Sequence, residues 1–395
     1  MPALSKTYRP ETRLVHAGTL RSQFGETSEA LFLTQGYVYP TAEECEARFS
    51  GKIPGYVYSR YSNPTMSMFE QRMAAFEGAE AARSTATGMA AVTTAIMGLV
   101  RAGDHVVAAK ALFGSCRWVI EEWLPRFGVT STLVNGTDLE AWKKATQKNT
   151  KAFFLESPTN PTLEVIDIAA VAEIAHSVGA KLVVDNVFAT PLYQSPLKLG
   201  ADCVVYSATK HIDGQGRVLG GIILGSEKLI LDHYHQILRQ TGPSLSPFNA
   251  WVLLKGLETL KLRVHEQSRS AERIARALQS LKGVKRVIYP HLDDHPQAEL
   301  CRRQMKTGGT MATFEVDGGK ERAFNVLKRL EIIDISNNLG DVKSLMTHPA
   351  STTHRNIGPD ARAMMGITDG MLRLSVGLEE VDDLVSDLAQ ALKQS

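Results

Sequence analysis

Short apolar runs alternate with amphipathic segments over residues 64–256. Each run has the length of a buried strand, and Asp167–Ser177, which separates two of them, has the apolar spacing of a helix. Runs that are apolar on both faces predict a mostly parallel sheet covered by helices on both sides, with its chemistry at the carboxyl ends of the strands. The predicted strands are Asp104–Ala109, Thr130–Val134, Ala152–Leu155, Lys181–Val184 and Cys203–Tyr206.

The pattern changes on either side of this region. Residues 1–60 are mixed in pattern, and we expect an arm that a partner chain buries. Residues 61–256 form the predicted main α/β domain. Residues 257–395 form a predicted smaller C-terminal α/β domain, because a long helix, the strand Met311–Val316 and a closing helix over Glu379–Lys393 follow one another there.

The most informative motif is Ser207-Ala208-Thr209-Lys210, directly after the last of the predicted strands. The lysine amine can bond covalently to an aldehyde, while the two hydroxyls hold an anionic group nearby. Pyridoxal 5′-phosphate (PLP) is the cofactor that needs both. The motif therefore predicts a PLP site.

Two further segments match this cofactor. Asp185 ends a predicted strand, and an ionised carboxylate beside the pyridine nitrogen keeps that nitrogen protonated. Gly88-Met89 precedes an apolar helical stretch, so its backbone N–H groups would face an anion. Alone, Asp185 is more typical of a loop cap and Gly88 of a turn. Their combination with Lys210 favours the cofactor.

Composition narrows the class of protein. The chain has 395 residues, 44% hydrophobic and 22% charged, which is ordinary for a globular protein of more than one domain. A net charge of +2 without basic runs argues against nucleic acid, and four scattered cysteines argue against a zinc site or disulfide framework. No segment resembles a signal or a membrane span. We expect a cytoplasmic protein without a metal, a nucleic-acid partner or a membrane partner.

A set of short motifs extends over nearly the whole chain. Together they resemble the Cys/Met-metabolism enzymes that use PLP, the cystathionine γ-synthase-like group. The resemblance implies the aspartate-aminotransferase-like α/β fold, known as fold type I, and it is more specific for the family than for the reaction. The motifs are Thr12-Arg13-Leu14-Val15-His16-Ala17-Gly18, Tyr58-Ser59-Arg60, Asn63-Pro64-Thr65, Gly88-Met89-Ala90-Ala91, Glu156-Ser157-Pro158-Thr159-Asn160-Pro161, Asp185-Asn186, Ser207-Ala208-Thr209-Lys210-His211, His348-Pro349-Ala350-Ser351 and Arg373-Leu374-Ser375-Val376-Gly377.

The resemblance also implies roles at the matching positions. Lys210 would bond to the cofactor and carry protons, and Asp185 would pair with the ring nitrogen. Gly88-Met89, Ser207 and Thr209 would hold the phosphate. These positions form the implied catalytic and cofactor-binding set of one subunit.

Other matching positions are implied to complete the site. Tyr58 and Arg60 would reach the phosphate from a neighbouring subunit, which implies at least a dimer and, as in the family, a homotetramer built as a pair of dimers. Asn160 would lie near the ring oxygen. Arg373 would bind the substrate α-carboxylate in a bidentate fork, with Asn338 beside it. Without the other motifs, Arg60 would be interpreted as a surface residue.

One enzyme of another class shares fragments of this sequence. Ser207-x-x-Lys210, Ser336-x-Asn338 and Lys306-Thr307-Gly308 resemble the motifs of serine penicillin-binding enzymes. Their order differs, and Ser207 follows a strand where that fold requires a helix. Nitrocefin hydrolysis would support this alternative. A binding or scaffold protein is disfavoured, because buried ionisable groups are costly to keep unused.

The reaction is inferred from Phe113, which occupies a position where many relatives have a tyrosine that stacks on the cofactor. Phenylalanine cannot donate a proton. A departing thiolate gains from an acid because its pKa is about 8.5, whereas a departing carboxylate, with a pKa of about 4, does not. Phe113 therefore favours replacing an acyl ester by sulfide over cleaving cystathionine or methionine.

Val57 and Asn337 are neutral, so neither offers a carboxylate to hold the amino group of an incoming cysteine. The stretches 207–221 and 336–341 look most like those of O-succinylhomoserine sulfhydrylases. The expected reaction is O-succinyl-L-homoserine plus sulfide to L-homocysteine plus succinate, a transferase step of methionine biosynthesis. Cystathionine γ-synthesis and O-acetylhomoserine sulfhydrylation stay open as alternatives. Arg117 is a candidate for the distal succinyl carboxylate, although a helix-surface arginine is the more common interpretation.

Overall fold

The main sheet shows the predicted alternation of strands and helices. The computed structural model describes residues 8–394. Within them seven strands form one sheet: β1 Ala81–Thr85, β2 His105–Ala109, β3 Thr130–Val134, β4 Thr150–Glu156, β5 Lys181–Asp185, β6 Cys203–Ser207 and β7 Gly221–Gly225. Their order is β1-β7-β6-β5-β4-β2-β3, in which β7 runs in the direction opposite to the other six strands. The expected mostly parallel sheet is confirmed.

A second sheet follows along the chain. Its strands are β8 Val284–Ile288, β9 Met311–Val316, β10 Asp334–Ile335, β11 Leu345–Thr347 and β12 Met371–Ser375, in the order β10-β11-β12-β9-β8. Leu372 and Leu374 of β12 are fully buried in the hydrophobic core of this sheet. Because side chains alternate along a strand, Arg373 between them lies on the opposite face.

Helices cover both sheets. Their bounds are α1 Pro10–His16, α2 Ala42–Phe49, α3 Pro64–Glu77, α4 Gly88–Met97, α5 Gly114–Trp118, α6 Leu139–Ala145, α7 Ile168–Ser177, α8 Thr190–Tyr193, α9 Glu227–Leu229, α10 Gln236–Thr241, α11 Pro247–Glu258, α12 Leu260–Leu278, α13 Ala298–Gln304, α14 Gly319–Lys328, α15 Pro359–Met364 and α16 Val381–Gln394. π-Helical turns cover Val119–Trp123 and Ile230–His235, and 3-10 turns cover Leu124–Phe127, Pro196–Leu199 and Pro349–Ser351.

The first core lies on the central strands. Val106 and Val107 of β2, Phe153 of β4 and Val183 of β5 are fully buried, because helices pack on both faces of the sheet. Burying such side chains stabilises the domain by about 1.5–3 kcal/mol each. The sheet is therefore a rigid support, and the residues that follow its strands are held in fixed positions.

The capping of α4 places a helix N-terminus next to these strand ends. Thr87 is extended, and its Oγ1 accepts the backbone N–H of Ala90 at 3.0 Å. The helix consequently begins at Gly88, with its first N–H groups directed away from the helix body. These groups are available to an anion.

Two strands of the main sheet were absent from the prediction. The sequence pattern does not reveal β1 because its sequence is polar, nor β7 because a glycine stands at each of its ends. The two strands pair antiparallel with each other. The division at residues 60 and 256 stays a prediction, and residues 1–7 of the predicted arm lie outside the described residues. Across residues 8–394, no helix has the length and apolar character needed to cross a bilayer.

Candidate active site

Three neighbouring strands of the main sheet end in polar residues that face one cavity. Glu156 ends β4, Asp185 ends β5 and Ser207 ends β6. The cavity has a volume of about 250 Å3. Nine residues predicted from the sequence line it: Gly88, Met89, Phe113, Asn160, Asp185, Ser207, Thr209, Lys210 and Arg373.

Lys210 lies in the turn after β6, with its amine in the cavity. Thr209 fixes this turn, because its Oγ1 accepts the backbone N–H of Gly220 at 3.1 Å. Burial, and then the charge of Arg373, lower the pKa of Lys210 to about 8. A much larger fraction of the amine is therefore neutral near pH 7 than in an exposed lysine, as a nucleophile or base requires.

Asp185 presents a carboxyl group without a cationic partner within 4 Å among residues 8–394. Its Oδ1 accepts the backbone N–H of Val187 at 3.0 Å, and burial raises its pKa to about 6. A cation bound beside it would return this pKa towards its ordinary value. The carboxyl group therefore fits the protonated ring nitrogen of PLP.

The N-terminus of α4 and the hydroxyls after β6 meet at one end of the cavity. A Cβ atom at Gly88 would lie 2.5 Å from Cβ and 2.7 Å from Oγ of Ser207. Only glycine allows this approach, which brings backbone N–H groups and two hydroxyls together. Such a cradle is typical of a phosphate site, and it fits the phosphate of PLP.

Arg373 lies on β12 and lines the cavity from the second sheet. The side chain is 1% exposed and donates to Oδ1 of Asn160 at 2.8 Å and to the backbone oxygens of Asn337 and Asn338 at 2.9 and 3.2 Å. Its Nε has no hydrogen-bond partner, and no carboxylate within the described ranges lies within ion-pair distance of it. A buried guanidinium without a counterion fits a carboxylate ligand.

Asn338 contacts the lysine directly. Its Oδ1 accepts a hydrogen bond from Nζ of Lys210 at 2.5 Å. This contact places Asn338 between the amine and Arg373, whose Nη2 bonds the backbone oxygen of the same residue. Its predicted role in substrate binding stays a prediction.

Tyr58 and Arg60 do not line this cavity. Arg60 lies over the rings of Tyr58 and Tyr61 and donates to the backbone oxygen of Arg239. Tyr58 is 38% exposed, which leaves its ring accessible in the single chain. Their predicted contribution to a neighbouring subunit stays a prediction.

Arg117 also lies outside the cavity. Its Nε donates to Oε2 of Glu121 at 2.6 Å, and it lines a separate cavity of about 310 Å3 together with Lys110 and Met365. The side chain of Arg117 therefore faces Glu121 and this separate cavity, although its backbone N–H donates to the backbone oxygen of Phe113 at 3.0 Å. Arg117 therefore stays a prediction as the partner of the distal carboxylate of a succinyl ester.

The fragments that resemble penicillin-binding enzymes are dispersed. Neither Lys306 nor Thr307 lines the cavity, and Oγ1 of Thr307 instead accepts from Oγ of Ser268 at 2.8 Å. Ser207 and Lys210 therefore have no Lys-Thr-Gly motif beside them in the cavity, which an enzyme of this class requires.

Sequence reasoning missed several lining residues. Glu156 is 4% exposed, and its Oε2 accepts the backbone N–H of Phe113 at 3.0 Å. It ends a strand as Asp185 does, and this signal would have identified it. Cys116, Phe188 and Thr353 also line the cavity, and their sequence context carries no comparable signal.

Comparison with known proteins gives consistent similarities. Residues 11–393 match the family described as Cys/Met metabolism PLP-dependent enzyme. An O-succinylhomoserine sulfhydrylase of Mycobacterium tuberculosis is 56% identical over 382 residues, covering 96% of this chain and 94% of its own. One from Pseudomonas aeruginosa is 48% identical, covering 97% and 94% respectively.

A solved structure shares the fold of this chain. A putative O-acetylhomoserine (thiol)-lyase of Campylobacter jejuni, determined with N′-pyridoxyl-lysine-5′-monophosphate, has a TM-score of 0.94 and 32% identity. The match covers 98% of this chain and 100% of that one. The expected α/β architecture of fold type I is confirmed.

Proposed function

The chain belongs to the Cys/Met metabolism PLP-dependent enzymes, and from this premise we propose that it converts O-succinyl-L-homoserine and sulfide to L-homocysteine and succinate. PLP is the cofactor of this family, as expected from the sequence. The observation that carries the proposal is the similarity, along nearly the whole chain, to two sulfhydrylases that use the succinyl ester. We also propose that it acts as a transferase in the cytoplasm.

The proposed catalytic residues surround one substrate position. Bound in the cavity, PLP supplies a protonated ring that withdraws electrons from the Cα of an attached amino acid. Arg373 holds the substrate α-carboxylate at one end, and the α4 N-terminus holds the cofactor phosphate at the other. Asp185 keeps the proton on the ring nitrogen. The substrate backbone is thereby fixed with its Cα within reach of Lys210.

Proton movement is assigned to the Lys210 amine. With a pKa of about 8, the neutral amine would remove the Cα proton and would release it to the bound cofactor before it takes a Cβ proton, so that it never holds both. It would return each proton to its carbon after the exchange at Cγ. Asn338 holds the amine through its Oδ1. The Cγ–O bond breaks and succinate leaves with the electron pair. Hydrosulfide forms the Cγ–S bond and keeps its own proton in the product thiol.

Phe113 favours this substrate pair over thiol elimination. It gives the cavity an apolar ring without an ionisable proton. Succinate needs no acid to depart, whereas a departing thiolate does. The alternatives, cystathionine γ-synthesis and sulfhydrylation of the acetyl ester, differ in the nucleophile and in the leaving group.

A product assay tests the proposal. Purified holoenzyme is offered succinyl or acetyl homoserine, each with sulfide or cysteine, and the products are identified by mass spectrometry. We expect homocysteine and succinate to form fastest from the succinyl ester and sulfide. Faster formation of cystathionine, or a clear preference for the acetyl ester, would assign the chain to one of the alternatives.

We further propose that the active enzyme is a homotetramer built as a pair of dimers. The proposal is supported by the exposed position of Tyr58 and by Arg60 lying outside the cavity of its own chain. Light scattering tests the oligomer number. Mixing refolded Lys210→Ala and Arg60→Ala chains tests the sharing of residues, and about a quarter of the sites should regain activity if random dimers form. Recovery of no activity would contradict the shared site.

A further inference from the structure

The cavity contains a second carboxyl group with no assigned role. Glu156 lies opposite Asp185 in the parallel pairing of β4 with β5. It is 4% exposed and lines the same cavity. Burying a carboxyl beside another carboxyl costs free energy, so the bonds that Glu156 makes indicate its role.

Glu156 bonds the backbone of one loop and interacts with the backbone of a second. Its Oε2 accepts the N–H of Phe113 at 3.0 Å, and the backbone N–H of Asn160 acts on the same carboxyl to lower its pKa. Phe113 is the N-cap residue of α5 and makes no side-chain capping bond. The bond to Glu156 is therefore an anchor that ties the start of α5 to the main sheet.

The second loop leads to the substrate end of the cavity. Oδ1 of Asn160 accepts from Nη1 of Arg373 at 2.8 Å. Asn160 thus connects Glu156 to the guanidinium, through its backbone N–H on one side and its side-chain oxygen on the other. Movement of Glu156 would be transmitted to Arg373 as well as to Phe113.

The charges around Glu156 oppose one another. Burial and the neighbouring Asp185 raise its pKa well above the ordinary value, while the two backbone N–H groups and Arg373 act in the opposite direction. The thiol of Cys116 lines the same cavity, and burial, followed by the Asp185 and Glu156 carboxyls, raises its pKa. Asp185 is the group placed to pair with the ring nitrogen. Glu156 is left to serve as a hydrogen-bond acceptor.

We propose that Glu156 is a positioning residue, whose carboxyl fixes Phe113 and Asn160 against the cofactor and, through Asn160, orients Arg373. It does not contact the reacting atoms. The inference rests on the proposed function for the placement of PLP in this cavity. It concerns the acceptor oxygens of Glu156 and does not depend on which acyl ester is used.

Two substitutions separate the acceptor from the volume of the side chain. Glu156→Gln keeps an acceptor oxygen, whereas Glu156→Met fills similar space without a comparable acceptor. The visible circular dichroism of bound cofactor reports its asymmetric surroundings, and titration of apoprotein with PLP gives its affinity. We expect Glu156→Met to bind PLP about tenfold more weakly, because the buried N–H of Phe113 loses its acceptor, and to show a smaller dichroic band. Glu156→Gln should keep both close to wild type.

A matched control comes from helix α16. Asp387 is 4% exposed and accepts the backbone N–H groups of Glu331, Ile332 and Ile333 at 2.8, 3.0 and 3.1 Å, away from the cavity. Asp387→Ala should lower the melting temperature and leave the dichroic band of bound cofactor unchanged. A comparable change of that band in the control would show that the readout reports general loosening.

Two results would overturn the inference. One is wild-type cofactor affinity and dichroism in Glu156→Met. The other is equal impairment of Glu156→Gln and Glu156→Met, because charge and not the acceptor would then matter. If Glu156→Met does not fold, the comparison of Glu156→Asp with Glu156→Gln decides, and the shorter acid should be the weaker binder. None of these readouts requires turnover, so a failure of the proposed reaction is recognised separately in the product assay.

Discussion

Gly88→Ala should weaken PLP binding more than it weakens the fold. The added Cβ would lie 2.5 Å from Cβ of Ser207, and ordinary contact begins at 3.4 Å, so the α4 N-terminus or Ser207 must move by 0.9 Å (3.4 − 2.5). Overpacking of this kind costs about 1–3 kcal/mol. Because the displaced groups are those that would hold the phosphate, we expect cofactor affinity to fall about 5- to 150-fold.

The assay titrates apoprotein with PLP and follows visible absorbance, with melting temperatures measured for both forms. Gly136→Ala is the control, because its Cβ would lie 2.4 Å from Cδ1 of Ile166 and Gly136 does not line the cavity. The control should lower the melting temperature and keep cofactor affinity within about twofold, since its overlap is with a side chain elsewhere. If Gly88→Ala bound PLP as tightly as the wild type, the phosphate cradle would be misplaced.

The remaining predictions concern the chemistry. Phe113→Tyr should retain sulfhydrylation and gain release of thiols from cystathionine or methionine, measured with a thiol reagent; a large loss of sulfhydrylation with intact cofactor binding would count against the role of Phe113. Since the pKa of Lys210 is lowered to about 8, its neutral fraction rises from about one tenth at pH 7 to about one half at pH 8. The rate at which the apoprotein captures PLP, followed by stopped-flow absorbance, should therefore rise about fivefold over this range. A rate that stays flat over this range would exclude such a pKa. Arg373→Lys keeps the charge but loses the fork, so KM for the acyl ester should rise about tenfold or more with cofactor binding retained; an unchanged KM would remove Arg373 from the substrate site.

The sequence predicted the part of the site that follows consecutive strands. Asp185 and Lys210 each come directly after a buried apolar run, and parallel strands bring their carboxyl ends to one edge. Arg373 lies on β12 of the second sheet and Asn338 in the loop between β10 and β11, and apolar patterns do not show how two sheets meet. Their placement in the prediction came from the family resemblance alone.

Two misses have local causes. β7 was overlooked because Gly221 and Gly225 bound it and resemble loop residues, although its interior is fully apolar. Glu156 belongs to one of the family motifs, but its role does not follow from the sequence, because the role of a strand-end carboxyl depends on the groups it bonds. Its bond to Phe113 joins residues 43 apart in the sequence, a contact that only the fold reveals.

The central claim is that the amine of Lys210 is the attachment point of PLP. Borohydride reduction of the purified holoenzyme, followed by digestion and mass spectrometry, locates the modified lysine. The account predicts a reduced pyridoxyl adduct on the peptide that contains Lys210, and no stable adduct in Lys210→Ala. Cofactor bound to the wild-type enzyme with the adduct on another lysine, or with none, would contradict it.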